Sequence, residues 1–226
     1  ANRIMQSGGG ERGGRSLTDL FKAFIDPSGA DNTSSELSHD EQFGNQAASL
    51  VSRFNFSGKK PFSIYLEYAG EDTSRGSNWR LGNVSLSAGI DIPNLYQNLS
   101  VRFETSQWQN AWYGHGVYHD GMTNEGNVIG HWSAELKNRE IVEFDAGVGA
   151  THHRLNLSWL TGSDFWQLDL AQTKFDNYHN DKYQTARLAQ LSWYGELYST
   201  PVKVSISTGD NALGENASSL SLGVNW

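Results

Sequence analysis

Residues 218–226 read Ser-Ser-Leu-Ser-Leu-Gly-Val-Asn-Trp, and no other stretch narrows the possible folds so far. Successive side chains of a strand point to opposite faces. Leu220, Leu222, Val224 and Trp226 therefore share one face, and Ser219, Ser221, Gly223 and Asn225 the other. A strand that is apolar on one side, small and polar on the other, and ends on an aromatic suits a transmembrane β-barrel. There the outer face meets lipid, the inner face meets a wet lumen, and aromatics sit at the membrane–water boundary.

The same period-two pattern recurs upstream. It runs through Ala48-Leu50-Ser52-Phe54-Phe56, Phe62-Ile64-Leu66-Tyr68, Val84-Leu86-Ala88-Ile90 and Leu99-Val101-Phe103. It resumes at Val142-Phe144-Ala146-Val148, Leu155-Leu157-Trp159, Trp166-Leu168-Leu170, Ala189-Leu191-Trp193-Leu197 and Val202-Val204-Ile206. A soluble sandwich shows the same alternation; connector lengths separate the two. Counting back from the C-terminus, 208–217 is long, 199–201 short, 175–185 long and 161–164 short. The link at 149–153 is a modest exception, after which 137–139 is short, 109–128 long, 91–97 fairly short, 70–82 long and 57–60 short. Short turns at one end and long loops at the other are the outer-membrane arrangement, and the spacing predicts about twelve strands in an antiparallel up-and-down barrel. Two of these are a truncated strand at 3–6 and another near 129–135.

Composition bounds the class from other sides. The 226 residues are 37% hydrophobic, without a window long and apolar enough for a transmembrane helix. Barrel strands escape that test because half their residues are polar. The chain has no cysteine, hence no disulfide framework or thiolate metal site. A net charge of -8 argues against nucleic acid, which calls for clustered Lys and Arg. The first residues, Ala1-Asn2-Arg3-Ile4-Met5-Gln6, carry no signal-peptide pattern; either one was removed or, the favoured expectation, the chain begins inside a longer protein.

The whole of residues 1–226 reads as one barrel domain with a long first loop over 7–45. Ser16 with Asp19 forms a capping-box-like pair, Leu17, Leu20, Phe21 and Phe24 make an apolar helical face, and Pro27 stops it. A short helix over about 17–25 follows.

The loop at 107–132 is the richest in chemistry. Trp108, Trp112, Tyr113, Tyr118 and Trp132 interleave there with Asn110, His115, His119, Asp120 and Asn124. Aromatic faces stack on the C–H faces of sugars while Asn, Asp and His serve the hydroxyls. Trp108, Trp112, Tyr113, His115, Tyr118, His119 and Asp120 are thus candidate glycan-binding residues, set against an aromatic girdle as the plainer reading. His115, His119 and Asp120, with His131, also raise a metal site. Gly114, Gly116 and Gly121 oppose the helix that an i, i+4 His pair needs, so neither metal nor cofactor is expected. His152 and His153 read as solvated neighbours in a tight turn that point apart. Glu67, Arg102 and Glu104, with Glu143 and Asp145, fall on the inward, lumen-facing side, as does Asp169 on its own strand. No Ser, His and acid set has a spacing that singles it out for catalysis.

Several stretches resemble the capsule assembly Wzi family. Gly9-Gly10-Glu11-Arg12-Gly13-Gly14 followed by Leu17-Thr18-Asp19-Leu20-Phe21 looks like its Gly-rich run and loop helix. Asp40-Glu41-Gln42-Phe43-Gly44-Asn45-Gln46 resembles its entry to a strand, and Ser63 to Asp72 its strand ending in Gly-Glu-Asp. Tyr113-Gly114-His115-Gly116-Val117-Tyr118, Gly121 and Ile129-Gly130-His131-Trp132 resemble its aromatic external loop. Two features depart from the family pattern: 47–52 has no Asp after the Gly-Asn-Gln, and 133–139 lacks an Asp-rich stretch.

The resemblance implies a bacterial outer-membrane barrel of about eighteen strands, of which this chain is a C-terminal part. It further implies a non-enzymatic, lectin-like protein that holds capsular or exopolysaccharide at the cell surface. Its partners are then that polysaccharide and the lipid or lipopolysaccharide around the barrel. An anionic polymer would call on Arg12, Arg15, Arg75 and Arg80 or on bridging cations. The alternatives are a porin or transport channel and a soluble β-sandwich lectin.

Overall fold

A computed structural model describes residues 1–6, 17–18, 21, 45–73, 81–109, 123–124, 127–128, 148–176 and 183–224. The strands are β1 (Asn2–Gln6), β2 (Asn45–Phe56), β3 (Phe62–Thr73), β4 (Leu81–Tyr96), β5 (Leu99–Trp108), β6 (Thr123–Asn124), β7 (Asn127–Val128), β8 (Ala150–Thr161), β9 (Asp164–Phe175), β10 (Ala186–Leu197), β11 (Thr200–Asp210) and β12 (Asn216–Val224). Ten of them form one sheet in the order β1-β2-β3-β4-β5-β8-β9-β10-β11-β12, and β6 pairs with β7 apart from it. The pairings β1–β2, β8–β9, β9–β10, β10–β11 and β11–β12 are antiparallel. Apart from the step from β5 to β8, neighbours in sequence are neighbours in the sheet, as hairpin connections allow.

Two departures from the expected order stand out. The expected link at 91–97 is mostly strand: β4 runs on to Tyr96, and only Gln97 and Asn98 turn. Likewise Ala150–His153, read as a connection, belongs to β8. Sequence punctuation misplaces the first boundary because Asp91, Pro93 and Asn94 look like turn residues, yet pairing with neighbours overrides local preference. The neighbour of β5 is β8, where a strict meander would put the expected strand near 129–135 and then that at 142–148. Residues 129–147, with Glu143 and Asp145, lie outside the described residues. Of the expected loop helix, residues 17, 18 and 21 are helical, with Leu17 and Phe21 exposed, and the remainder is not among the described residues.

The turns 97–98 and 198–199 have positive φ at both residues, +39° and +67° at Gln97 and Asn98, and +52° and +64° at Tyr198 and Ser199. That backbone twist matches the right-handed twist of the flanking strands. With the short links 57–61 and 162–163 they all fall at the same end of their strands, since antiparallel neighbours alternate ends.

The chain divides into two compact units. The first comprises Ala1–Val51, Tyr68–Ser85 and Trp108–Gly149. In it the Tyr68 hydroxyl accepts from the Leu81 backbone N–H at 3.2 Å, and Gly70 lies so close to Leu81 that a methyl group there would overlap it. The second comprises Ser52–Glu67, Leu86–Gln107 and Ala150–Trp226. Its registers align apolar side chains in rows: Leu157–Leu168–Leu191–Ile206–Leu220 and Trp159–Trp166–Trp193–Val204–Leu222. Trp166 stacks on Trp159 at 6.0 Å between ring centroids and meets Trp193 at 6.5 Å. The opposite face carries Asn156–Asp169–Gln190–Ser207–Ser219 and Ser158–Gln167–Ser192–Ser205–Ser221.

Burial departs from the order of a water-soluble protein, although Trp108, Val148, Phe175 and Val202 are buried as well. Ile206 is 58% exposed and Leu86 51%, and Leu66, Phe103, Leu170, Leu220 and Leu222 are also open. The buried side chains include Ser63, Ser85, Ser106, Asp169, Thr173, Ser205 and Ser192, the last 1% exposed. Val51, Leu160 and Leu188 are exceptions, exposed apolar side chains on the polar side. An exposed Leu, Phe or Ile in water forgoes about 1.5–3 kcal/mol of burial, so a face that collects many of them favours an apolar neighbour. No helix among the described residues is long and apolar enough to cross a membrane.

Candidate functional site

The polar face of the second unit carries two clusters of bonded charges. In the first, Arg53 on β2 donates from Nη2 to Ser63 Oγ at 3.1 Å and to Asp91 Oδ2 at 3.0 Å. Arg53 Nε and Ser63 Oγ both donate to Asn55 Oδ1, at 3.2 and 2.8 Å. Arg102 on β5 approaches the same Asp91 oxygen at 3.4 Å. One carboxylate on β4 thus fastens guanidinium groups from both sides. Next to it the Tyr65 hydroxyl donates to Glu104 Oε2 at 2.7 Å.

The second cluster is built on Asp169 of β9, which is 4% exposed. Arg154 donates to its Oδ1 from Nε at 3.1 Å and Nη2 at 3.0 Å, and Asn156 Nδ2 adds a third bond at 2.9 Å. Gln167 Nε2 donates to the other oxygen, Oδ2, at 2.6 Å. A buried carboxylate needs such a set of donors, since an unpaired one costs far more than any contact here returns. Ser158 and Ser100 join β8 to β5: their hydroxyl oxygens lie 3.0 Å apart, and Ser100 Oγ is 3.2 Å from the Ser158 carbonyl. Beyond them Ser192 Oγ meets Ser205 Oγ at 2.9 Å, and Ser207 meets Ser219 at 2.8 Å.

Between the clusters opens a cleft of 380 Å³ lined by Asp91, Ser100, Val101, Arg102, Glu104, Arg154, Asn156, Ser158, Gln167 and Asp169. A shallower hollow of 500 Å³ has a mixed lining, with Phe103, Leu155, Leu170 and Ala189 beside Arg187 and Asp210.

Family comparison decides which proteins this architecture belongs with. The family model for capsule assembly protein Wzi matches residues 1–206. The chain belongs to the Wzi family. Searches of the curated proteins and of the solved structures returned no match. Membership ties this sheet to capsule assembly, and it extends over every strand of the main sheet from β1 to most of β11.

Within the Wzi family setting, the residues singled out from sequence divide three ways. Trp108 ends β5, is 3% exposed, and donates its indole N–H to the Val148 carbonyl at 3.1 Å. Trp112, Tyr113, His115, Tyr118, His119 and Asp120 lie outside the described residues, as do Arg12, Arg15, Arg75 and Arg80. Arg102 and Glu104 lie on the polar face beside the cleft, and Glu67 shares the side of β3 that carries Ser63 and Tyr65. His152 and His153 sit on β8 and not in a turn. They do point apart: His152 Nδ1 is 2.9 Å from Thr173 Oγ1, and His153 Nδ1 is 2.9 Å from Thr105 Oγ1 with its ring stacked on Phe103. Among the described residues no three His, Asp or Glu side chains are grouped to hold a metal ion.

Reading the sequence missed Arg53, Tyr65, Asp91, Arg154 and Gln167. Each has the strand parity of its polar neighbours, so the face was legible. Their meeting was not, because it depends on the register between strands.

Proposed function

We propose that this Wzi-family chain forms part of an outer-membrane β-barrel that holds capsular polysaccharide at the bacterial surface, without catalysing a reaction. The observation that carries the reading is the partition of side chains: apolar rows lie half-buried to exposed on one face, while Ser85, Ser106, Asp169, Thr173, Ser192 and Ser205 are buried on the other. Lipid satisfies the first and a wet lumen the second. Family membership supplies the capsule. The short turns face the periplasm, and the loop at 107–132 grips glycan outside through Trp112, Tyr113, His115, Tyr118, His119 and Asp120, with Trp108 fixing its base. Glu67, Arg102 and Glu104 line the lumen.

The test is made on cells. Membrane fractions should hold the protein in a form whose gel mobility changes on heating. Deleting the gene should release capsule into the medium, and changing Trp112, Tyr113 and Tyr118 together to Ala should do the same with the protein still folded. Capsule retained by the deletion strain would defeat the reading. A porin is the second reading, favoured by the charged polar face; it requires single-channel conductance in planar bilayers.

A further inference from the structure

We propose that the cleft between the Asp91 and Asp169 clusters is a second glycan contact, a subsite that takes a mono- or disaccharide segment through its hydroxyl groups. The inference rests on the capsule reading above and deepens it, since it places recognition on strands of the polar face and not only in a surface loop.

Size comes first. The cleft of 380 Å³ falls within the range of about 300–1,000 Å³ typical of small-ligand sites, too small for a polymer coil and adequate for a short piece of one. Its lining is almost wholly polar, Val101 being the apolar member.

The distribution of hydrogen-bonding capacity decides the ligand class. The Arg102 side chain is 57% exposed and that of Arg154 55%. Each guanidinium has five N–H donors and commits only some of them to Asp91 or Asp169, so donors remain facing the cleft. Acceptors stand among them: Glu104 receives Tyr65 on Oε2, which leaves Oε1, and Gln167 binds Asp169 through its nitrogen, which leaves its amide oxygen. A sugar hydroxyl is both donor and acceptor, and neighbouring hydroxyls on a ring need this mixture within a few ångströms.

Charge points the same way. The lining holds two guanidinium groups, Arg102 and Arg154, against three carboxylates, Asp91, Glu104 and Asp169. A cleft for phosphate or another strong anion would carry a surplus of cations, and this one carries none. The bases are also pre-positioned by carboxylates on rigid strands, which lowers the ordering cost of binding. With no aromatic ring in the lining, affinity is modest and depends little on salt.

The experiment uses the full-length protein in detergent with di- to hexasaccharides released by partial acid hydrolysis of the capsule of the strain that carries it. Binding is read by calorimetry at two salt concentrations. Capsule retention by wild-type and deletion strains is measured in parallel. The double change Arg102→Gln with Arg154→Gln should weaken binding by about tenfold or more, as the loss of hydrogen bonds from charged donors implies. Ser100→Phe, which fills the cleft and keeps every charge, should do likewise, while Lys59→Ala in the 57–61 turn should change nothing. Heat-dependent gel mobility reports that each variant is folded. If the wild-type strain holds its capsule but the oligosaccharides do not bind, or bind both cleft variants as tightly as wild type, the subsite is overturned and the capsule reading stands. If the deletion strain keeps its capsule, both fail.

Discussion

The phenol hydroxyl of Tyr65 on β3 donates to Glu104 on β5 at 2.7 Å, reaching across β4 at Gly89. A side-chain carbon on Gly89 would overlap the Tyr65 ring. The absent side chain is therefore what lets a strand be bridged by its two neighbours.

Gly89→Val should displace Tyr65 and lower stability by about 1–3 kcal/mol, the usual cost of forcing bulk into a filled site. Tyr65→Phe, which removes only the hydrogen bond, should cost about 1 kcal/mol. Unfolding midpoints in detergent check both. No loss from Gly89→Val would mean that crowding at Gly89 is not what limits the position.

Asp169→Ala removes the acceptor shared by Arg154, Asn156 and Gln167. Water still reaches Arg154, so the loss should be about 1–3 kcal/mol, short of the figure for a fully buried pair. Arg154→Ala should cost less, because Asn156 and Gln167 go on serving the carboxylate. Urea unfolding of the two variants gives the order directly.

Leu168 and Gln190 test which face meets lipid. Leu168 is the β9 member of the central apolar row, and Gln190 belongs to the polar row. Leu168→Arg should impair folding into lipid vesicles by about 2–4 kcal/mol, as for a cation at the bilayer midplane. Gln190→Arg should be tolerated. Equal penalties would contradict an apolar face turned to hydrocarbon.

Tyr198 and Ser199 both hold positive φ in a two-residue hairpin turn. That conformation favours Asn-Gly and strains other side chains. Tyr198→Asn with Ser199→Gly should raise stability by about 1 kcal/mol in detergent, where relief of strain acts alone. If the exposed Tyr198 sits at a membrane interface, where aromatic rings anchor, the gain should shrink in lipid. Melting temperatures in the two media check this.

Much of the sheet is legible in the alternation itself. The terminal strand, the Leu168 row and the position of Asp169 opposite it follow from counting by two. Boundaries were less secure. Asp91, Pro93 and Asn94 imitate a turn, and only the pairing of β4 with its neighbours shows that they are strand. The histidines of β8 were misplaced as well, although their divergence is a property of any two adjacent strand residues.

The amino-acid order alone determined the family of this chain and which of two sides each strand residue takes, since both are local in the sequence. It left open which side chains meet. Arg53 and Arg102 lie far apart in sequence and share Asp91 only because β2, β4 and β5 come together in one sheet. Arg154 and Asp169 meet because a two-residue turn fixes the register of β8 on β9. A shift of that register by one residue would turn Asp169 toward the apolar rows. The cleft is thus a product of pairing geometry, and only the assembled sheet decided it.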